Sequence, residues 1–363
     1  MKLLHTADWQ LGLRLNFVGG DRAARLRAQR FDSVREIGRL AQQHGVDAVL
    51  VAGDVFDDNG VGGDTLQQTR DALEAFGDVP VILLPGNHDP ATPDSALRRL
   101  DCGRANVHVA LAREPIELPG LRVFPCPLMA RHEYEDPTAW LPAQSQSQSQ
   151  GQEVRVVLAH GGALSFGEAT ETPNRIDVDA VLERGYDYVA LGDWHGLFQV
   201  GPRTWYSGAH EATRFKEKRP GHVLLVEIDA PGATPRVEPL AVARCRWLSH
   251  AVELLEDGDL DTFAAWLDAL EEKSWTLLEL TLRGQLSLAG HTRLEALLDD
   301  WRDRLALLRS DADAVQVAPT ADDLAALRGE GYLGRSIDVL RAGAAEADAD
   351  ALRLLYRLMK EAS

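Results

Sequence analysis

Val46-Asp47-Ala48-Val49-Leu50-Val51-Ala52-Gly53-Asp54-Val55-Phe56-Asp57 decides the fold. Residues 46–52 are almost wholly apolar, rich in valine and closed by glycine, so they read as a short strand buried on both faces. The Gly-Asp that follows sets a carboxylate just past the strand's carboxyl end, where open α/β sheets gather their ligands. The same arrangement recurs in both directions. Leu3-Leu4, the shortest run, leads to Asp8-Trp9-Gln10, and residues 79–84 lead to Gly86-Asn87-His88-Asp89. Residues 154–159 lead to His160-Gly161, and residues 188–191 to Gly192-Asp193-Trp194-His195. Loops at one end of a parallel sheet converge, so residues far apart in the chain can share a crevice. A pair of divalent cations about 3.5–4 Å apart needs a bridging carboxylate with Asp, His and Asn around it; such a pair activates water and clamps a phosphate. These motifs supply all of those donors and read as a two-metal phosphoesterase site.

Between the motifs the periodicity alternates. Residues 21–44 carry Leu26, Phe31, Val34, Ile37, Leu40 and Ala41 near one helical face, with Gly45 placed to end the helix. Further helices are expected at 64–76 and near Ser95, which gives the βαβ rhythm of a layered α/β domain. Residues 107–111, 121–125, 204–206 and 223–228 look like strands without long helices between them, so a second sheet is expected to pack on the first. Residues 144–150 alternate Gln and Ser, a surface-loop composition. The organisation expected is a domain over 1–240, a small α+β domain over 241–315 and a helical tail over 316–363. The small domain reads as βαβα (strand 247–254, helix 260–270, strand 275–282, helix 294–308), with a linker at 311–323. In the tail, Leu352, Leu355, Tyr356 and Met359 share a face, flanked by Leu354 and Leu358; that stripe either docks on the chain's own small domain or binds a partner helix.

At 363 residues the chain suits two or three domains. The start turns polar at once and no run reaches spanning length, so neither a secretory leader nor a membrane segment is expected. Cys102, Cys126 and Cys245 form no paired metal motif, which fits a reducing cytoplasm. With 38 Lys+Arg against 56 Asp+Glu, the net charge of −18 has the wrong sign for gripping nucleic acid over a whole surface. Local patches would have to serve. The candidates are Arg14, Arg22, Arg25, Arg27 and Arg30, of which Arg25 to Arg30 read equally well as the wet side of a helix, and Arg214, Lys216, Lys218 and Arg219.

The motifs, extended to His5-Thr6-Ala7-Asp8-Trp9-Gln10-Leu11-Gly12 and Gly53-Asp54-Val55-Phe56-Asp57, resemble the calcineurin-like metallophosphoesterases. Within them, Tyr206-Ser207-Gly208-Ala209 followed by Arg214-Phe215-Lys216-Glu217 resembles the SbcD-type DNA repair nucleases, over about residues 1–230 with the small domain as a capping domain. The resemblance implies a layered α/β sandwich of two sheets flanked by helices. It implies one cation on Asp8, Gln10, Asp54 and His195, and another on Asp54, Asn87, His160 and Asp193, with Asp54 bridging. His88 would contact the scissile phosphate and protonate the leaving oxygen, oriented by the Asp57 carboxylate. The reaction implied is DNA phosphodiester hydrolysis by metal-bound hydroxide. The partners implied are DNA, a second copy of the chain and an SbcC-like SMC-family ATPase, with dimerisation through the helices near 64–76 and 95–100.

Two positions depart from that family, which expects histidine where this chain has Gln10 and Asp193. Two divalent cations set against Asp8, Asp54 and Asp193 would leave a net charge of about +1. Hard oxygen donors favour Mn²⁺, with Mg²⁺ or Fe²⁺ as substitutes, over Zn²⁺. Two other readings stand beside the nuclease: a phosphodiesterase for small nucleotides, which the acidity favours, and a non-catalytic scaffold binding DNA ends or the ATPase. His5 and His210 read as ordinary packing or surface histidines, with substrate contact open for His210.

Overall fold

The apolar runs that precede the motifs all form strands in the computed structural model, which describes residues 1–143, 153–163, 172–318, 331–343, 350–351 and 354–355. Contacts divide the chain into two compact units, Met1–Cys245 and Arg246–Ser363.

In the first unit the order is β1 (Lys2–Thr6), α1 (Gly20–His44), β2 (Ala48–Val51), α2 (Gly63–Leu73), β3 (Val81–Leu83), α3 (Ala96–Arg99) and β4 (Val107–Val109). It continues through β5 (Ile116–Leu118), β6 (Leu121–Cys126), β7 (Val154–His160), β8 (Gly162–Ala163), β9 (Arg175–Ile176) and α4 (Val178–Glu183). It closes with β10 (Tyr188–Gly192), β11 (Phe198–Gly201), β12 (Thr204–Tyr206), β13 (His222–Glu227) and β14 (Arg236–Ala241). One six-stranded sheet has the order β14-β13-β1-β2-β3-β4 and a second β11-β12-β10-β7-β6-β5. The strands leading to the site are parallel within each sheet: β1 to β2, β2 to β3, and β7 to β10. The second sheet draws only part of the later strands, because β4 and β13 join the first.

Strand alternation explains the layers. Leu3, Ala48, Leu50, Ile82 and Leu84 face Leu121, Val156, Leu158, Tyr188 and Ala190 in a core between the sheets. The intervening Leu4, Val49, Val51, Val81 and Leu83 pack outward on Phe31, Val34 and Ile37 of α1, and on Leu73 and Phe76. On the second sheet, Phe124, Val157, Val189 and Leu191 pack outward on Ile176, Val181 and Tyr186. Strands buried on both faces read as continuous apolar runs, which is why they were visible in sequence.

The second unit is βαβαβ: β15 (Arg246–Leu254), α5 (Asp259–Asp268), β16 (Thr276–Leu286), α6 (Leu288–Arg304) and β17 (Leu307–Val317), a three-stranded sheet parallel throughout. Leu254, Leu260, Phe263, Leu278, Leu280, Leu298 and Trp301 fill its core. This corrects the reading of 311–323 as linker over 311–317, residues 319–323 lying outside the described residues, and the reading of 294–308 as one helix, which ends at Arg304. Asp311 and Asp313 belong to an edge strand that pairs only with β16 among the described residues, and its exposed positions made it look like a solvated connector. A further helix, α7 (Gly331–Ala342), follows. Residues 144–150 lie outside the described residues, as do Leu352, Tyr356, Leu358 and Met359 of the apolar stripe.

Candidate metal centre

The segments leaving β1 and β2 are zipped together. Asp8 N–H donates to the Gly53 carbonyl (3.1 Å), Gln10 N–H to Asp54 (2.8 Å), Leu11 N–H to Val55 (2.9 Å) and Asp57 N–H to Leu11 (3.1 Å). Across the mouth the second sheet comes very near. A Cβ on Gly53 would lie 2.1 Å from His160 Nδ1, and one on Gly192 would lie 1.8 Å from the Ala52 carbonyl. Only glycine lets the sheets approach here, so these positions fix how close the ligands of one sheet stand to those of the other.

Asp8, Asp54 and His160 converge, with ligand atoms all within 4.8 Å of one another. His160 Nε2 lies 2.9 Å from Asn87 Oδ1, 3.4 Å from Asp54 Oδ1 and 3.8 Å from Asp193 Oδ1. Its Nδ1 stands 2.8 Å from the Ala52 carbonyl, which can only accept, so Nδ1 carries a proton and Nε2 faces the carboxylates. Asp193 N–H donates to Asp8 Oδ1 (3.1 Å), while His88 N–H donates to Asp54 Oδ1 (2.9 Å). Gln10 Nε2 is 3.3 Å from His195 Nε2. Asp8, Gln10, Asp54, Asn87, His160, Asp193 and His195 are thereby gathered, with His88 beside them.

The electrostatics are those of crowded carboxylates. Burial pushes the Asp8 carboxyl up to about 6; His195 and His160 pull it back, and Asp54 and Asp193 push further. For His160, burial works downward, yet Asp54, Asp8 and Asp193 outweigh it and carry the imidazole up to about 9. Asp8 Oδ2 is buried and lacks a hydrogen-bond partner among the described residues. An unpaired buried carboxylate oxygen is expensive, and a divalent cation would supply the missing charge and bond. The donors, carboxylate and amide oxygens with imidazole nitrogens, suit a divalent cation. The residues present therefore fit a divalent metal.

The backbone is bent to achieve this. Asp8, Gln10, Asp54 and Asp193 have φ of 52°, 42°, 51° and 97°, on the positive side that residues bearing a side chain seldom adopt.

Several sequence expectations change here. His88 Nδ1 is bound to the main-chain carbonyl of Asp57 (2.8 Å), so the backbone rather than the Asp57 carboxylate orients the ring. Arg30 does not belong to an exposed DNA patch: at 3% exposure it donates to the carbonyls of Trp9, Glu211 and Ala212. His210 is buried against Trp9 and bonds the Arg30 carbonyl, and His5 is buried between Tyr188 and Leu191. Both are packing residues. Trp9 is likewise buried, its Nε1 donating to Thr6 Oγ1, whereas Trp194 is 49% exposed beside the site. Asp89 caps its turn through Gly86 N–H and Phe56 N–H. Arg214, Lys216, Lys218 and Arg219 are exposed on the strap after Thr213.

Two other parts of the site have roles that the sequence does not reveal. Glu217 Oε1 lies 2.6 Å from His195 Nδ1, and the Tyr206 hydroxyl donates to the Gly161 carbonyl while accepting from Ala163 N–H. Both residues lie within the motifs that carry the resemblance, but nothing in the sequence says which distant group each one meets.

The sequence profile of the calcineurin-like phosphoesterase family matches residues 1–228. Proteins named as the SbcD component of the nuclease SbcCD are similar to the chain. That of Rhodobacter capsulatus is 38% identical over 125 residues, covering 32% of this chain and 28% of that protein. Those of Staphylococcus saprophyticus and Bacillus subtilis are 26% identical over 304 residues and 23% identical over 333. These two matches cover 75% and 81% of this chain, and 74% and 82% of the relatives. The chain thus spans about a quarter of the first relative and about three quarters or more of the others.

Proposed function

Because the chain belongs to the calcineurin-like phosphoesterase family, we propose that it is a metal-dependent DNA nuclease that hydrolyses phosphodiesters. The observation that carries this is the convergence of Asp8, Asp54 and His160 around an unpartnered carboxylate oxygen, in a chain similar over most of its length to proteins named as the SbcD component of SbcCD.

Asp8, Gln10, Asp54 and His195 would hold one cation, and Asp54, Asn87, His160 and Asp193 the other, with Mn²⁺ the preferred ion. Bound there, divalent cations polarise a phosphoryl oxygen and make water more acidic. The remaining work falls to the chain. His88 is half-buried, and because Nδ1–H is given to the Asp57 carbonyl, proton exchange is confined to Nε2. Nε2 is then the atom that would donate to the departing oxygen. Arg214, Lys216, Lys218 and Arg219 offer a phosphate-binding strap on a chain that is otherwise acidic. We propose the βαβαβ fold, residues 246–317, as the capping domain that positions DNA, in place of 241–315, and the segment that follows it as the partner-binding tail. The working form proposed is a cytoplasmic homodimer with an SbcC-like SMC-family ATPase, which would supply further basic surface.

The test pairs linear duplex DNA, single-stranded DNA, a cyclic dinucleotide and a chromogenic diester, with Mn²⁺ or with chelator. Cleavage of DNA only with Mn²⁺ is expected. His88→Ala should lower it by about 10²–10⁴-fold at unchanged metal content, measured by elemental analysis. Hydrolysis of the cyclic dinucleotide without cleavage of either DNA would transfer the assignment to small nucleotides, the reading the net charge of −18 favours.

A further inference from the structure

We propose that Glu217 is the positioning residue for His195, holding its ring so that Nε2 faces the cation shared with Gln10; the proposal rests on the two-cation reading above. His195 and Glu217 are nearly inaccessible, with side chains 8% and 5% exposed, and Nδ1 stands 2.6 Å from Oε1. A carboxylate can only accept, so Nδ1 keeps its proton and the lone pair is left on Nε2, 3.3 Å from the Gln10 amide. The carboxylate is itself held. Thr213 N–H donates to Oε2 (2.9 Å), Thr213 Oγ1 donates to Oε1, and Arg214 Nε lies 3.4 Å from Oε1. With both oxygens engaged, Glu217 cannot swing away from the ring.

The two site histidines are oriented differently, and the difference has a chemical reason. His160 leans on a neutral carbonyl, that of Ala52. His195 leans on a full charge, which makes its imidazole the stronger donor. Each donor set holds one neutral amide, Gln10 in the first and Asn87 in the second, so the carboxylate behind His195 is what distinguishes the two imidazoles. Glu217 also pairs with the exposed Arg214.

The experiment uses the full chain with ¹⁵N-labelled histidine and Mn²⁺ titration by calorimetry. In chelator, at a pH high enough to leave the ring neutral, His195 of the wild type should appear as the Nδ1–H tautomer, and Glu217→Ala should lose that signature. With Mn²⁺, Glu217→Ala should bind one ion about 10–100-fold more weakly and the other unchanged. Glu217→Gln, which keeps a carbonyl to accept from Nδ1–H, should recover most of the affinity. Unchanged tautomer and unchanged affinity for both ions in Glu217→Ala would overturn the proposal alone. Failure of the wild type to bind Mn²⁺ would overturn the two-cation reading, and this proposal with it. Should Glu217→Ala not fold, Glu217→Asp, which draws the carboxylate back from Nδ1, decides: several-fold weaker binding of one ion supports the assignment and unchanged binding overturns it.

Discussion

Gln10 is the place where single side chains matter most. Its amide sits 3.3 Å from His195 Nε2, where the resembling family has an imidazole. Gln10→His should tighten the first cation by about tenfold or more and move the preference toward Zn²⁺, because nitrogen replaces a neutral oxygen donor. Competitive titration with Mn²⁺ and Zn²⁺ checks this, and an unchanged preference would remove Gln10 from the ligand set. Residues with this chemistry were legible because each follows an apolar strand at its carboxyl end, a local signal. Glu217 and the Asp57 carbonyl were not, because a hydrogen bond across many residues leaves no trace in spacing. Arg30 was misread for the same reason. A charge on a helix looks solvated until the carbonyls it reaches, from residues 9, 211 and 212, are known.

Among elements, α1 does more than cover the first sheet. Its Arg30 ties the loop after β1 to the loop after β12, and Glu211, in that second loop, accepts from Ser33 Oγ (2.7 Å) and from the backbone of Arg244 and Cys245. Arg30→Met would leave the carbonyls of Trp9, Glu211 and Ala212 without their donor. At about 1–3 kcal/mol for each unsatisfied buried group, a loss of about 3 kcal/mol or more is expected. Denaturant unfolding should show it, together with reduced cleavage although Arg30 touches no ligand atom; an unchanged midpoint would dismiss the clasp. Elements buried on both faces were the readable ones. The edge strand β17 was not, because its polar, exposed alternation is also the composition of a linker.

For the molecule as a whole, protons and cations compete for the same charges. His160 titrates near 9 in the fold against 6.5 unfolded, so its contribution is complete below pH 6.5 and is lost as pH rises through 9. Asp8, near 6 against 3.8, acts in the same direction at lower pH. Chelated protein should therefore melt at falling temperature between pH 6.5 and 9. The rise in Tm produced by Mn²⁺ should grow over that interval, since the ion takes the place of the His160 proton. Differential scanning fluorimetry with and without chelator measures both, and a gap independent of pH would contradict the account. The layered sandwich was legible from strands and motifs, whereas the sharing of late strands between sheets was not, because β-pairing is non-local. The left-handed backbone at Asp8, Gln10, Asp54 and Asp193 carries one more consequence. Four residues that carry side chains where glycine would sit relaxed mark the mouth of the sandwich as a place where durability is yielded to chemistry.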